Sequence, residues 1–164
     1  NPLDIFVSLT NFYEFKIEEI DNLVNYFSKH HTLPFIKEKF KLPSWSEHLE
    51  SWVNSSQNLL VIKYKDLINN FNNQMIKISH FLEVEIDNQK IELIKNNTSF
   101  LKLKTIENKE REKKIDGFFY EHMKNKKTNF MFSGQNKNYL DFLNENQIMK
   151  INLGFKKYIE EYSL

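Results

Sequence analysis

A chain of 164 residues with a formal net charge of +1 is long enough to bury a core and carries no field that would draw it to nucleic acid or an anionic membrane. It has no cysteine, which excludes disulfides and thiolate metal sites, and no apolar run long enough to span a bilayer. Aromatic residues reach 15%, with 15 Phe, whereas Ala is absent and Arg111 is the single arginine, so a phosphate site here must manage almost without guanidinium groups.

The opening stretch, NPLDIFVSLTNF, reads as a helix over residues 3–15. Asn1 suits the N-cap, Pro2 the first helical position, and Asp4 the positive end of the helix dipole. Ile5, Phe6, Leu9, Phe12 and Tyr13 follow at helical spacing, with Ser8 one turn beyond Asp4. Ile17, Ile20, Leu23, Val24 and Phe27 mark a second helix. A loop with Pro34 and Pro43 follows, in which His30 and His31 match no metal spacing and are expected in solvent. Ser44 and Glu47 have the spacing of a capping box at the start of a third helix.

NLLVIKY is a short continuous apolar run, which predicts a buried, parallel-type strand near 59–63. One such strand needs partners that the rest of the chain does not clearly provide. Helices are expected over 70–82, with Met75, Ile78, Phe81 and Leu82 on one face, and over 87–96. Residues 104–114 are so charged that they read as a solvated linker or mobile loop. The last helix begins near Asn144, with Gln147 at capping-box distance and a stripe of Ile148, Ile151, Phe155, Tyr158, Ile159 and Tyr162.

Taken in order, several segments resemble the C-terminal part of a cytosolic-type sulfotransferase. NPLDIFVS is similar to that family's R-N-P-x-D-x-x-V-S. PSWSEHLESWV followed by LLVIKYKDL resembles its S-W-x-x-H-x-x-x-W, strand and Y-E-D-[LM] run. QMIKISHFL and NNTSFLKLK resemble its K-I-x-x-F-L and H-T-S-F-x-x-M-K segments. NFMFSGQNKNYLDFLNENQ lies where F-x-R-K-G-x-x-G-D-W-x-x-x-F-T-x-x-Q would fall. The resemblance covers nearly the whole chain apart from 17–40 and 104–128.

The resemblance implies an α/β fold: a helix-rich C-terminal part of a P-loop-like three-layer domain with a parallel sheet, occupying residues 1–164 as a partial sulfotransferase domain. It implies a cytoplasmic enzyme that moves a sulfuryl group from 3′-phosphoadenosine 5′-phosphosulfate (PAPS) to a small hydroxyl or amine acceptor, without metal, nucleic acid or membrane. Ser8, Tyr64, Thr98, Ser99, Phe100, Met131, Ser133 and Gly134 fall at cofactor-binding positions, and Phe12 and His48 at positions lining the acceptor pocket. Read alone, the same residues are ordinary: Tyr64 a strand-end aromatic, Thr98–Phe100 a helix-ending turn, and His48 a helix-face histidine beside a tryptophan.

Two departures shape the expectation. Phe132 and Ser133 stand where the family has Arg and Lys beside the glycine, so the charge-assisted bonds to a 3′-phosphate are lost there, with Lys137 the cation next in sequence. Leu140, Asn144, Glu145 and Met149 carry none of the family's dimer motif, so a family-type dimer does not follow. The family's 5′-phosphosulfate loop and its proton-accepting histidine match nothing in this sequence, which yields the expectation of a C-terminal portion inactive alone. A sulfotransferase-like protein that has lost its cofactor, and a helical interaction module without chemistry, stand as alternatives.

Overall fold

In the computed structural model, which describes residues 1–55, 58–134 and 138–164, the first helix starts where its cap predicts. The Asn1 side chain accepts from the Leu3 N–H (2.8 Å), and α1 spans Pro2–Phe12. A single 3₁₀ turn, Ile17–Glu19, leads into α2, Ile20–His30. The apolar pattern begins one turn early, because Ile17 is 83% exposed and the buried face is Leu23, Val24 and Phe27. The expected loop after α2 contains a π-helical turn, Ile36–Phe40. Further along lie α3 (Trp45–Ser55), α4 (Tyr64–Asn69), α5 (Phe71–Phe81), α6 (Asn88–Thr98), α7 (Phe100–Lys113) and α8 (Phe118–Met123). A 3₁₀ turn at Asn138–Asp141 precedes α9 (Glu145–Gly154) and α10 (Lys156–Tyr162).

The chain divides into two compact units, one formed by 1–59 with 135–164 and the other by 60–134. In the first unit α2 packs along α9, and α1 meets α9 and the Asn138–Asp141 turn. Phe27 lies at the centre, 5.3 Å from the Phe6 ring and stacked at 5.0 Å on Phe155. Gly154 permits the close approach of α9 to α2: a Cβ there would sit 2.0 Å from the Ser28 carbonyl oxygen.

His31 is not the solvated residue expected. It ends α2 in the left-handed region (φ 53°) and lies 4.1 Å from the Phe155 ring. Its Nδ1 pairs with the Ser46 hydroxyl (2.7 Å) and its Nε2 with the Gly154 carbonyl (3.0 Å). A carbonyl can only accept, so Nε2 carries the proton. This bond also explains why the C-terminal helix is broken rather than continuous. The Gly154 carbonyl is taken by His31, and the Tyr158 N–H turns to the Phe155 carbonyl instead (3.0 Å). The expected apolar stripe survives the break, with Ile151, Phe155 and Tyr158 buried.

The predicted strand does not form. Residues 59–63 are irregular, Val61 is 51% exposed, and no strand occurs among the described residues. A strand exists only by pairing, and the described residues offer this run no extended partner. The parallel sheet is therefore not seen, and the fold is helix-rich throughout.

The second unit holds α4 to α8. Asp87 caps α6 by accepting from the Lys90 N–H (2.7 Å). The stripe expected on α5 is largely open to solvent, with Phe81 and Leu82 exposed and Gln74 and Ser79 buried instead. The charged stretch expected to be a linker is α7, the longest helix, which packs on α6 and α8.

Candidate functional site

Charge patterning predicts solvation only where charges lack partners, and on α7 they have them. Glu107 is fully buried, and its carboxylate accepts the Phe130 N–H on Oε1 (2.6 Å) and the Met131 N–H on Oε2 (2.9 Å). One turn further, Arg111 donates through Nη1 to the Thr128 carbonyl (2.7 Å) and Asn129 Oδ1 (2.6 Å), and through Nη2 to the Lys126 carbonyl (2.7 Å). Its Nη1 also lies 3.6 Å from Glu107 Oε1, so the buried carboxylate has a cation beside it. Glu110 faces another way and accepts the Phe119 and Tyr120 N–H groups (2.8 and 3.1 Å) at the start of α8. Gly117 makes room for that carboxylate: a Cβ there would come within 2.4 Å of it.

The chain that Glu107 and Arg111 hold runs directly into residues 131–134. Phe132 turns back tightly, its N–H meeting the Phe130 carbonyl (3.0 Å). Gly134 then adopts φ +62° against the Phe100 ring, where an added Cβ would lie 2.1 Å from a ring carbon. Only glycine combines that backbone angle with that approach. Phe100 opens α7 and is half-buried, with Lys104 Nζ 5.5 Å from its ring centre. Ser99 is the N-cap; its hydroxyl accepts from the Lys102 N–H (3.4 Å) and donates to the Asn96 carbonyl (3.2 Å). Thr98 closes α6, its hydroxyl donating to the Ile94 carbonyl (2.8 Å).

Of the residues predicted for the cofactor, the second unit thus brings Ser99, Phe100, Met131 and Gly134 together around α7, with Thr98 and Ser133 adjoining them in sequence. Tyr64, in the same unit, begins α4 with its ring exposed. Ser8, Phe12 and His48 belong to the first unit. Ser8 is on the exposed side of α1, Phe12 ends that helix edge-on to Tyr13 (5.1 Å), and His48 is exposed on α3, 6.4 Å from Trp52. A cavity of about 620 Å³ in the first unit, lined by Leu3, Ile148, Met149 and Leu153 among others, includes none of the predicted residues. Lys137 lies outside the described residues.

Glu107, Arg111 and Lys104 are the residues that sequence reasoning missed. Glu107 and Arg111 have the i,i+4 spacing of an acid–base pair, which ordinarily marks an exposed helix face. No local pattern reveals that a backbone segment some twenty residues downstream returns to cover them.

What α7 and its neighbours bring together is a flat ring, a glycine whose backbone approaches it, neutral hydroxyls and one cation near the ring. A family model described as "Sulfotransferase domain" matches residues 1–163. The chain belongs to the sulfotransferase family. Its sequence is similar to the amine sulfotransferase of Oryctolagus cuniculus, at 26% identity over 110 residues. That alignment takes in 65% of this chain and 35% of the relative, so the chain spans about a third of the length of the sulfotransferase it matches. No solved structure matches it significantly. Sulfotransferases act on small-molecule acceptors, and no helix among the described residues is long and apolar enough to cross a membrane.

Proposed function

We propose that this chain forms the 3′-phosphate and adenine side of a PAPS-dependent sulfotransferase, together with part of the wall facing a hydroxyl or amine acceptor. The observation that carries the reading is the sulfotransferase-domain match over residues 1–163. The packing of Gly134 on Phe100 supports it, because that contact sets a flat aromatic beside an open backbone. The name of the rabbit relative favours an amine among the acceptors.

In this reading Phe100 stacks on the purine, Tyr64 covers it, and Thr98 and Ser99 offer hydroxyl oxygens to its edge. The Ser133 hydroxyl and the Gly134 N–H bind the 3′-phosphate, a role the family resemblance also implies for Ser8, while Met131, its N–H held by Glu107, precedes them in the segment. Phe12 and His48 orient the acceptor. Bound PAPS supplies the activated sulfuryl group. What these residues contribute is position: fixing the donor's nucleotide end aligns the transferring group for in-line attack. The charge that Phe132 and Ser133 fail to provide weakens the phosphate contact, since charge-assisted bonds are roughly twice as strong as neutral ones. That deficit also motivates the second reading, a sulfotransferase-like protein that has lost its cofactor.

Calorimetric titration with adenosine 3′,5′-bisphosphate separates the two. The chain should bind weakly, and more weakly still as salt is raised, because dissolved ions screen the attraction between a phosphate and nearby lysines. Replacing Phe132 by Arg and Ser133 by Lys should tighten binding by roughly an order of magnitude. If the double variant gains nothing, the 131–134 segment does not reach the phosphate.

A further inference from the structure

We infer that Glu107 and Arg111 are positioning residues for the segment that reads the 3′-phosphate, an inference that rests on the function proposed above. Water alone can satisfy the backbone of an ordinary surface loop. Here a fully buried carboxylate takes the two successive N–H groups of Phe130 and Met131, and one guanidinium takes three acceptors from residues 126–129. Both side chains come from one rigid helix, whose first residue, Phe100, is also the surface on which Gly134 rests. The segment is therefore fixed at both ends to α7: by the Glu107–Arg111 pair before it and by the Phe100 contact after it.

The consequence is specific. Phosphate recognition through neutral hydroxyls and backbone N–H groups depends on their being aimed in advance, because no long cationic side chain can adapt to a misplaced anion. Phe132 and Ser133 offer no such adaptation. A pair that aims the backbone thus matters more here than it would in a loop carrying Arg and Lys. Glu107 touches no ligand in this scheme and acts through Met131 to Gly134.

The test is Glu107→Gln in the full chain. Glutamine keeps the length and one acceptor oxygen but presents an NH₂ group where the second backbone N–H now points. Two readouts are taken. Amide hydrogen exchange at Phe130 and Met131 should accelerate by roughly tenfold or more, while the amides of α6 keep their protection. The ratio of affinities for adenosine 3′,5′-bisphosphate over adenosine 5′-monophosphate should collapse toward one, with monophosphate binding unchanged. Glu107→Asp, which retains both oxygens on a shorter arm, should recover part of that ratio.

Unchanged exchange at 130–131 would overturn the positioning role. So would a parallel loss of both nucleotides, which marks a merely structural carboxylate. Failure of the underlying reading looks different: the unaltered chain would then bind both nucleotides equally while the exchange effect persisted, leaving a clamp with no phosphate to serve and ending this inference with it.

Discussion

The two units of this protein are held together by different physics. Among the described residues, twelve of the fifteen buried apolar side chains lie in the first unit, around Phe6, Phe27 and Phe155, and only Ile91, Phe119 and Met123 lie in the second. The second unit relies instead on three charged side chains of α7 that bind backbone groups of residues 119–131. Burial is non-directional and proportional to area, so it fixes how elements pack but not where one amide points. Charge-assisted bonds to backbone are directional, so they fix a loop in detail. The unit bearing most of the candidate nucleotide residues is the one shaped in the second way.

The comparison breaks most visibly if the aromatic core proves dispensable. Phe27→Ala should cost the first unit about 3–5 kcal/mol, the usual range for emptying a fully buried phenylalanine site. Both tryptophans, Trp45 and Trp52, are in that unit, so their fluorescence during urea unfolding reports it selectively. A loss under about 1 kcal/mol would mean that the core does not close around Phe27.

A smaller effect sharpens the other side. Arg111→Lys keeps the charge but cannot reproduce a planar fork with three acceptors. We expect a loss of about 1–2 kcal/mol, seen as faster amide exchange through 126–131, with tryptophan-monitored unfolding unmoved. If Lys serves as well as Arg, simple charge neutralisation of Glu107 accounts for the pair, and directionality does not.

The smallest effect concerns pH. Hydrogen bonds from Lys157 and Tyr158 hold the Glu50 carboxyl below the usual carboxylate range, and the bond with Glu50 raises Lys157 above the usual lysine value. The depressed acid contributes stability above its unfolded value, about 4.3, and loses it as pH falls through the folded value. The raised base contributes fully below about 10.4 and loses it as pH climbs through its folded value. The contribution of this pair to the first unit should therefore be flat between these limits and fall on both sides, with Glu50→Gln reducing both slopes. The groups are exposed, so the amplitude is small. An unchanged profile in the variant would assign the slopes to other residues.

What the sequence revealed follows the same division. Local rules were legible: Asn1, the Ser44–Glu47 box and the Asn144–Gln147 box all cap helices as their spacing predicts. So was the apolar stripe of Ile151, Phe155 and Tyr158, whose period carries across the break between α9 and α10. What failed was whatever depends on a distant partner. The run at 59–63 has the composition of a buried strand, but composition does not provide a neighbour to pair with. His31 looked solvated because nothing nearby in sequence announces Gly154. Residues 104–114 looked like a linker because the backbone they bind comes later. At the candidate site, resemblance named the glycine and hydroxyl positions, whereas nothing in the sequence signalled that charges of α7 bind the neighbouring backbone.

The most direct test of the central claim is to follow backbone amide resonances of the chain during titration with adenosine 3′,5′-bisphosphate. The account predicts that shifts concentrate at residues 98–104 and 130–134 and that they weaken together as salt is raised. Saturable shifts confined to the first-unit cavity lined by Leu3, Ile148 and Met149, with 98–104 and 130–134 silent, would contradict it.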